Sequence, residues 1–176
     1  MKTKELKKSD ISLSNISISK DGIREEIMNF EDQLRGQPDA IHGDSSLCPL
    51  KHTFSDGIYV REIFIPAGLF IVGKIHKHEH PNFLMSGVVE VVTEKGREML
   101  IGPCSIISPS GTKRALYSVT DLTWITVHLN PTNTRDLAVI EKDVIAESYE
   151  IYERFKAVSS NKVVRLWNKM VKKLTI

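Results

Sequence analysis

The stretch GKIHKHEHPNFLMSG, residues 73–87, places three of the six histidines of the chain at alternating positions, His76, His78 and His80. Alternation is the period of a β-strand, in which side chains at i, i+2 and i+4 lie on one face of the sheet. Two interpretations are open. Either the three imidazoles hold a metal ion, or they lie without a function on a solvated strand edge.

The sequence around this stretch, from residue 50 to residue 130, is a series of short β-forming runs. Runs such as GIYVREIFI and LTWITVHLN are rich in β-branched and aromatic residues, and most joints between the runs carry Gly, Pro, Asp or Ser. This rhythm predicts an all-β core built as an antiparallel sandwich or barrel.

Helical patterns flank the β region. From Asp21 to about Leu34, Ile23, Ile27 and Phe30 recur at helical spacing, and Asp21 is a suitable cap. After Pro131 the pattern turns helical again, and a break is predicted near Ala146. We therefore predict an N-terminal extension with one helix (residues 1–47), a β-barrel (48–131) and a C-terminal helical tail (132–176).

The tail predicts a basic amphipathic helix. Its apolar stripe consists of Val163, Leu166, Trp167, Met170 and Leu174. Such a helix packs on its own domain or across a dimer, or it lies on a membrane or binds a partner. Packing is the favoured interpretation, and removal of residues 160–176 is expected to weaken association.

Composition and motifs exclude several classes of function. The formal net charge is +2, from 24 Lys and Arg against 22 Asp and Glu, so the charge predicts no nucleic-acid binding. The N-terminus lacks the apolar region of a secretory signal, and no apolar run reaches the roughly 18 residues of a membrane span. Cys48 and Cys104 form no CxxC pair, which is typical of free thiols in the cytoplasm. No phosphate-binding loop or nucleophile elbow is present.

A metal site needs a further ligand from outside the histidine stretch. His128 lies in the run WITVHLN, where it shares its predicted face with Trp124 and Thr126. Neutral imidazole is the commonest protein ligand for ions such as Zn, Fe, Ni and Mn, and a catalytic site needs three or more converging ligands. The candidate metal ligands are therefore His76, His78, His80 and His128.

Residues 57–130 resemble the cupin superfamily, a family of jelly-roll β-barrels. Gly87 matches the glycine that closes the first cupin motif, His76 matches the second histidine of that motif, and His80 stands in place of its glutamate. Lys74 stands in place of the first histidine. Gly102 and PSGTKR match the second motif, with Arg114 in place of its histidine. The chain is also similar to small cupin-like proteins of tailed phages and prophages.

The resemblance implies a β-barrel, a homodimer and one of two kinds of site. In the first, a divalent Fe, Mn, Ni or Zn ion is held by His76, His80 and His128, with His78 assisting or facing solvent. In the second, metal is absent and the barrel mouth binds a small anion through the histidines and Arg114, with Tyr117 lining the same pocket. The function is then a metal-dependent enzyme, a non-catalytic binding or sequestering module, or a phage-encoded interaction protein.

Overall fold

The computed structural model describes residues 11–17, 22–38, 40 and 45–174, with side chains described up to residue 162. A 3-10 turn spans Leu13–Asn15, and the helices are α1 (Ile23–Arg35), α2 (Leu137–Val144) and α3 (Tyr149–Leu174). The strands of the described residues are β1 (Leu50–Ser55), β2 (Ile58–Ile65), β3 (Phe70–Val72), β4 (Ile75–His76), β5 (His80–Ser86), β6 (Val88–Thr93), β7 (Gly96–Ile101), β8 (Cys104–Ser108), β9 (Ala115–Ser118), β10 (Leu122–Leu129) and β11 (Ile145–Ala146).

Two antiparallel sheets form the body of the molecule. One has the strand order β1-β2-β10-β5-β8, and the other has the order β3-β9-β6-β7. A buried apolar cluster draws on strands of both sheets and separates them: Ile65, Leu84, Val89, Val91, Leu116, Leu122 and Trp124. The prediction of an all-β core with flanking helices is confirmed.

Of the two predicted forms, sandwich or barrel, the sheets take the form of a sandwich. In the described residues, no ladder joins the five-stranded sheet to the four-stranded sheet. The chain changes sheet at tight corners, and Gly87 between β5 and β6 has a φ of +92°. A Cβ atom there would lie 2.3 Å from the carbonyl oxygen of Asp121, so the corner requires glycine.

Helix α1 covers the outer face of the four-stranded sheet, as its periodicity predicts. Ile23, Ile27 and Phe30 are buried against Val92 and Ala115 because one stripe of the helix is apolar. The helix begins at Ile23 with Gly22 at its N-cap. The predicted cap, Asp21, lies outside the described residues.

The C-terminal segment returns to the sheets. The helical pattern breaks at β11, close to the predicted break at Ala146, because Ile145 and Ala146 pair with β4. Asp136 caps α2 by accepting a hydrogen bond from the backbone N–H of Ala138. The tail stripe from Val163 to Leu174 lies outside the described side chains.

Candidate metal centre and cavity

Three of the four predicted metal ligands meet at one end of the double sheet. His76 ends β4, His80 begins β5, and His128 lies near the end of β10. One nitrogen from each ring lies within 4.8 Å of the others. The ring centroids of His76 and His80 are 4.2 Å apart, and those of His76 and His128 are 5.0 Å apart. We call these residues the histidine triad.

His78 is not part of the triad. The chain bends between β4 and β5 rather than continuing as one regular strand, so the simple alternation of the three histidines is broken. His78 is exposed, and its ring meets the edge of Phe155 on α3 with the centroids 5.2 Å apart. His78 was predicted either to assist the metal ligands or to face solvent, and the structure places it away from the rings of the triad.

The hydrogen bonds of His80 determine which nitrogen is available. The Nδ1 atom lies 2.9 Å from the carbonyl oxygen of His78, so Nδ1–H donates and the lone pair remains on Nε2. That Nε2 atom and Nδ1 of His76 are buried and have no hydrogen-bond partner among the described residues. Buried polar atoms are nearly always paired, so two such atoms in one cluster fit a site that binds an ion.

The environment keeps the triad neutral. Burial, followed by the nearby imidazoles of His80 and His128, lowers the pKa of His76 to about 2. Burial and the His80 ring lower the pKa of His128 to about 3. Burial also lowers the pKa of His80. Because a metal binds the unprotonated imidazole, all three rings are in the ligand form at neutral pH.

A cavity of about 390 Å³ lies beside the triad, between the two sheets. The five-stranded sheet contributes its inner face, the four-stranded sheet contributes Ile71 and Leu116, and α2 contributes Leu137, Ile140 and Glu141. The C-terminal segment therefore forms part of the cavity wall. Lys74 forms an ion pair with Glu141 at the exposed rim.

Asn82 organises the polar wall of this cavity. Its Oδ1 atom accepts hydrogen bonds of 3.1 Å from Trp124 Nε1 and 3.1 Å from Thr126 Oγ1. Its Nδ2 atom donates to Ser108 Oγ at 2.8 Å and to the carbonyl oxygen of His80 at 3.3 Å. Asn82 thus ties the triad strand β5 to its neighbours β8 and β10.

Arg114 projects into the cavity, as the anion-site interpretation predicts. Its guanidinium donates to Ser108 Oγ and, at 3.4 Å, to Asn82 Oδ1, and it lies over the Trp124 ring at 5.3 Å from the centroid. Burial lowers the pKa of Arg114 to about 10, which leaves the group charged at neutral pH. The negative charge of Glu98 acts against this shift of the pKa.

Tyr117 does not line the cavity. Successive residues of β9 point to opposite faces, so Leu116 faces the cavity whereas Ala115 and Tyr117 face α1. The Tyr117 ring packs on Phe70 with the centroids 4.7 Å apart. Tyr117 follows Arg114 by three positions, and an odd number of positions along a strand places two side chains on opposite faces of the sheet.

Several cavity residues were not predicted as site residues. Tyr59 and Arg61 alternate on β2, and Asn82 follows His80 by two positions on β5. The Tyr59 hydroxyl is hydrogen bonded to Nδ1 of His52 at 2.8 Å. The period-two spacing from His80 is a signal that could have identified Asn82. Arg61 and Tyr59 carry no such signal, because only the strand pairing brings them opposite Thr126 and His128.

Comparison with known proteins gives structural neighbours only. No protein-family model matches the chain, and no curated protein matches it. Similar solved structures include a cupin superfamily protein from Desulfitobacterium hafniense, with 10% identity, 51% of this chain and 84% of that chain covered, and a TM-score of 0.42. KdgF from Halomonas sp. has 14% identity and a TM-score of 0.45, and the match covers 55% of this chain and 90% of that chain.

A third neighbour is an RmlC-like cupin from Shewanella frigidimarina, with 15% identity, coverage of 58% and 91%, and a TM-score of 0.44. The structure itself shows two facing antiparallel sheets with a buried apolar interface, which is a β-sandwich. Within the described part of the chain, no helix has the length and apolar character needed to cross a membrane.

Proposed function

We propose that the protein is a metal-binding cupin-type protein in which His76, His80 and His128 hold a divalent Fe, Mn, Ni or Zn ion beside a small-molecule cavity. The observation that carries this proposal is the convergence of three neutral imidazoles, of which those of His80 and His128 are buried and that of His76 is partly buried. Two of the three rings have an unpaired nitrogen. Three protein ligands leave positions open for a substrate, as in catalytic sites.

The proposed reaction class is metal-dependent chemistry on a small molecule. A bound ion would polarise the substrate or activate water or dioxygen. The chain's own residues hold and orient the ligand. Asn82 positions the His80 strand, while Arg114 and Tyr59 present polar groups to the cavity. A cavity of about 390 Å³ is the size of a small-molecule site.

A non-catalytic anion-binding module is the second candidate. The observation that favours it is the Arg114 guanidinium, which projects into the cavity with neutral hydrogen-bond partners. This function requires the cavity and the cation but no ion at the triad. We also keep the homodimer, the cytoplasmic location and a phage or prophage origin as predictions from the sequence.

Elemental analysis of untagged protein tests the metal proposal. We expect about one equivalent of Fe, Mn, Ni or Zn in the wild type, loss of that ion in the His76→Ala/His80→Ala variant, and retention in the control His78→Ala. The control is matched because His78 lies between the two ligands in sequence but apart from the triad in space. Absence of metal from wild type expressed in metal-replete medium would overturn the proposal.

A further inference from the structure

We propose that two copies of this chain associate through the outer face of the five-stranded sheet, β1-β2-β10-β5-β8. The histidine triad and the cavity lie on the inner face of the same sheet. The association therefore goes beyond the proposed function and does not depend on a bound metal. This surface is where the homodimer predicted from the sequence would form.

Strand register defines the outer face. Successive residues of a strand point to opposite sides of the sheet. Tyr59 and His128 line the cavity, and Asn82 does so on β5, so the residues next to them in each strand face outward. The centre of the outer face consists of apolar side chains: Val60, Phe64, Phe83, Ile107, Ile125 and Val127.

Several of these apolar side chains are open to solvent in the single chain. Phe64 is 39% exposed, Phe83 is 38% exposed, and Ile107 is 58% exposed. Ile125 and Val127 lie on the central strand β10 and are only half-buried. A contiguous apolar patch of more than a few hundred square ångströms typically marks an interaction site.

Strand β10 is apolar on both of its faces. Leu122 and Trp124 point inward to the buried core, whereas Ile125 and Val127 point outward. An antiparallel sheet with one solvated face normally alternates apolar and polar residues, and apolar residues on both faces are typical of strands that are covered on both sides. The sequence of β10 therefore indicates that the outer face is covered in the assembled protein.

The described helices lie elsewhere. Helix α1 packs on the outer face of the four-stranded sheet, through Ile27 and Phe30. Helix α2 lines the cavity on the inner side, and Tyr152 of α3 packs on Gly111 in the turn between β8 and β9. In the part of the chain that the structure describes, the outer face of the five-stranded sheet thus stays open.

The outer face is neutral, which favours a second copy as its occupant. All residues of the five strands are described, and the charged ones that face outward are Lys51 and Glu62. These two pair with each other at 3.8 Å near the β1 margin. In a two-fold dimer the same surface meets itself, so a net charge would repel the second copy. A nucleic acid would instead require a cluster of Lys and Arg.

The size of the face meets the requirement of a specific interface. Five strands about 4.8 Å apart, with five to eight residues at about 3.3 Å each, give a face of roughly 24 by 23 Å, or about 550 Å². Two copies would therefore bury roughly 1,100 Å² in total, above the roughly 1,000 Å² that a specific interface needs. The outward residues of β1, Lys51, Thr53 and Ser55, would form a polar rim.

Sedimentation equilibrium of the untagged full chain tests the proposed surface. Concentrations between about 1 and 200 μM cover the micromolar dissociation constants expected for an interface of this size. The variants are Phe83→Glu and Ile107→Glu, on two different strands of the face. Ile101→Glu is the matched control, because Ile101 is 67% exposed on an edge strand of the other sheet.

We expect wild type and Ile101→Glu to reach the mass of a dimer within this range. We expect the dissociation constant of Phe83→Glu and of Ile107→Glu to rise at least about tenfold, because each dimer would bury unpaired carboxylates. Circular dichroism with thermal unfolding shows whether each variant is folded. The two positions lie on different strands, so either folded variant is sufficient for the test.

Monomeric wild type over the whole range would overturn the proposal, and so would dimers of unchanged affinity in Phe83→Glu and Ile107→Glu. Equal weakening by Ile101→Glu would also overturn the assignment to this face. Dimers that persist in both face variants but dissociate without residues 160–176 would place the association in the tail instead. Flotation of monomeric wild type with phosphatidylcholine vesicles, lost in Ile107→Glu, would assign the face to lipid and overturn the second copy.

Discussion

Replacement of Asn82 by alanine is expected to destabilise the protein strongly. Asn82 is fully buried and accepts hydrogen bonds from the indole of Trp124 and the hydroxyl of Thr126. Alanine leaves these two buried donors without that acceptor, and each unsatisfied donor costs about 1–3 kcal/mol. Loss of the bond to Ser108 and of side-chain volume adds about 1 kcal/mol. We expect the free energy of unfolding to fall by about 3–7 kcal/mol.

Urea unfolding of the metal-free protein, followed by circular dichroism, measures this change. With a urea dependence of about 2 kcal/mol per molar, the midpoint falls by roughly 1.5–3.5 M. Asn161→Ala is the matched control, because Asn161 is exposed on α3 and its replacement changes stability by about 0.5 kcal/mol or less. Asn82→Asp keeps the acceptor oxygens and is expected to lose less than Asn82→Ala. A loss below about 1 kcal/mol in Asn82→Ala would refute the role of the amide as the centre of the polar wall.

Three other predictions follow. Lowering the pH from 7.5 to 5.5 protonates His76 and His128 in the unfolded chain only, because burial lowers the pKa of both residues in the folded protein. The free energy of unfolding of the metal-free protein should therefore fall by about 1.4 kcal/mol for each of the two histidines. Equal urea midpoints at both pH values would contradict this. Gly111 has a φ of +83°, and a Cβ atom there would lie 2.4 Å from the ring of Tyr152 on α3. Gly111→Ala should therefore lower the free energy of unfolding by about 2–3 kcal/mol. The control Gly57→Ala should lower it by about 1 kcal/mol, because the space around Gly57 is open. Removal of residues 160–176 is expected to lower the mass seen by size exclusion with light scattering, and an unchanged mass would refute the role of the tail in association.

The triad is a costly arrangement in a protein without a ligand. His80 and His128 are buried, and their rings and that of His76 lie close together with two nitrogens unpaired. Unpaired polar atoms in a protein interior reduce stability, and such local conflicts are found chiefly at functional sites. This is a physical reason to expect that metal binding stabilises the fold. The increase in unfolding midpoint on addition of the metal would measure the effect.

Local sequence patterns determined much of the architecture. The β-branched runs and their turn residues predicted the strands, and the spacing of Ile23, Ile27 and Phe30 predicted α1 and its buried face. The break near Ala146 was also predictable. These features follow from apolar residues that repeat every two or every 3.6 positions, and such repeats can be read from the sequence without the fold. The order of the strands within the two sheets was not predictable in this way, because it depends on corners such as Gly87 and on the pairing of strands far apart in the chain.

The sequence by itself identified the histidine-rich stretch, the candidate His128 and the arginine at the second motif. Only the tertiary structure decided which of these residues meet. It separated His78 from the triad, because the chain bends between β4 and β5 and the His78 ring packs on Phe155, and it turned Tyr117 toward α1. It also brought Arg61, Asn82 and Arg114 to one cavity from three different strands or their flanks. Contacts between residues far apart in the chain arise from strand pairing and sheet packing, and local periodicity does not specify which strands pair.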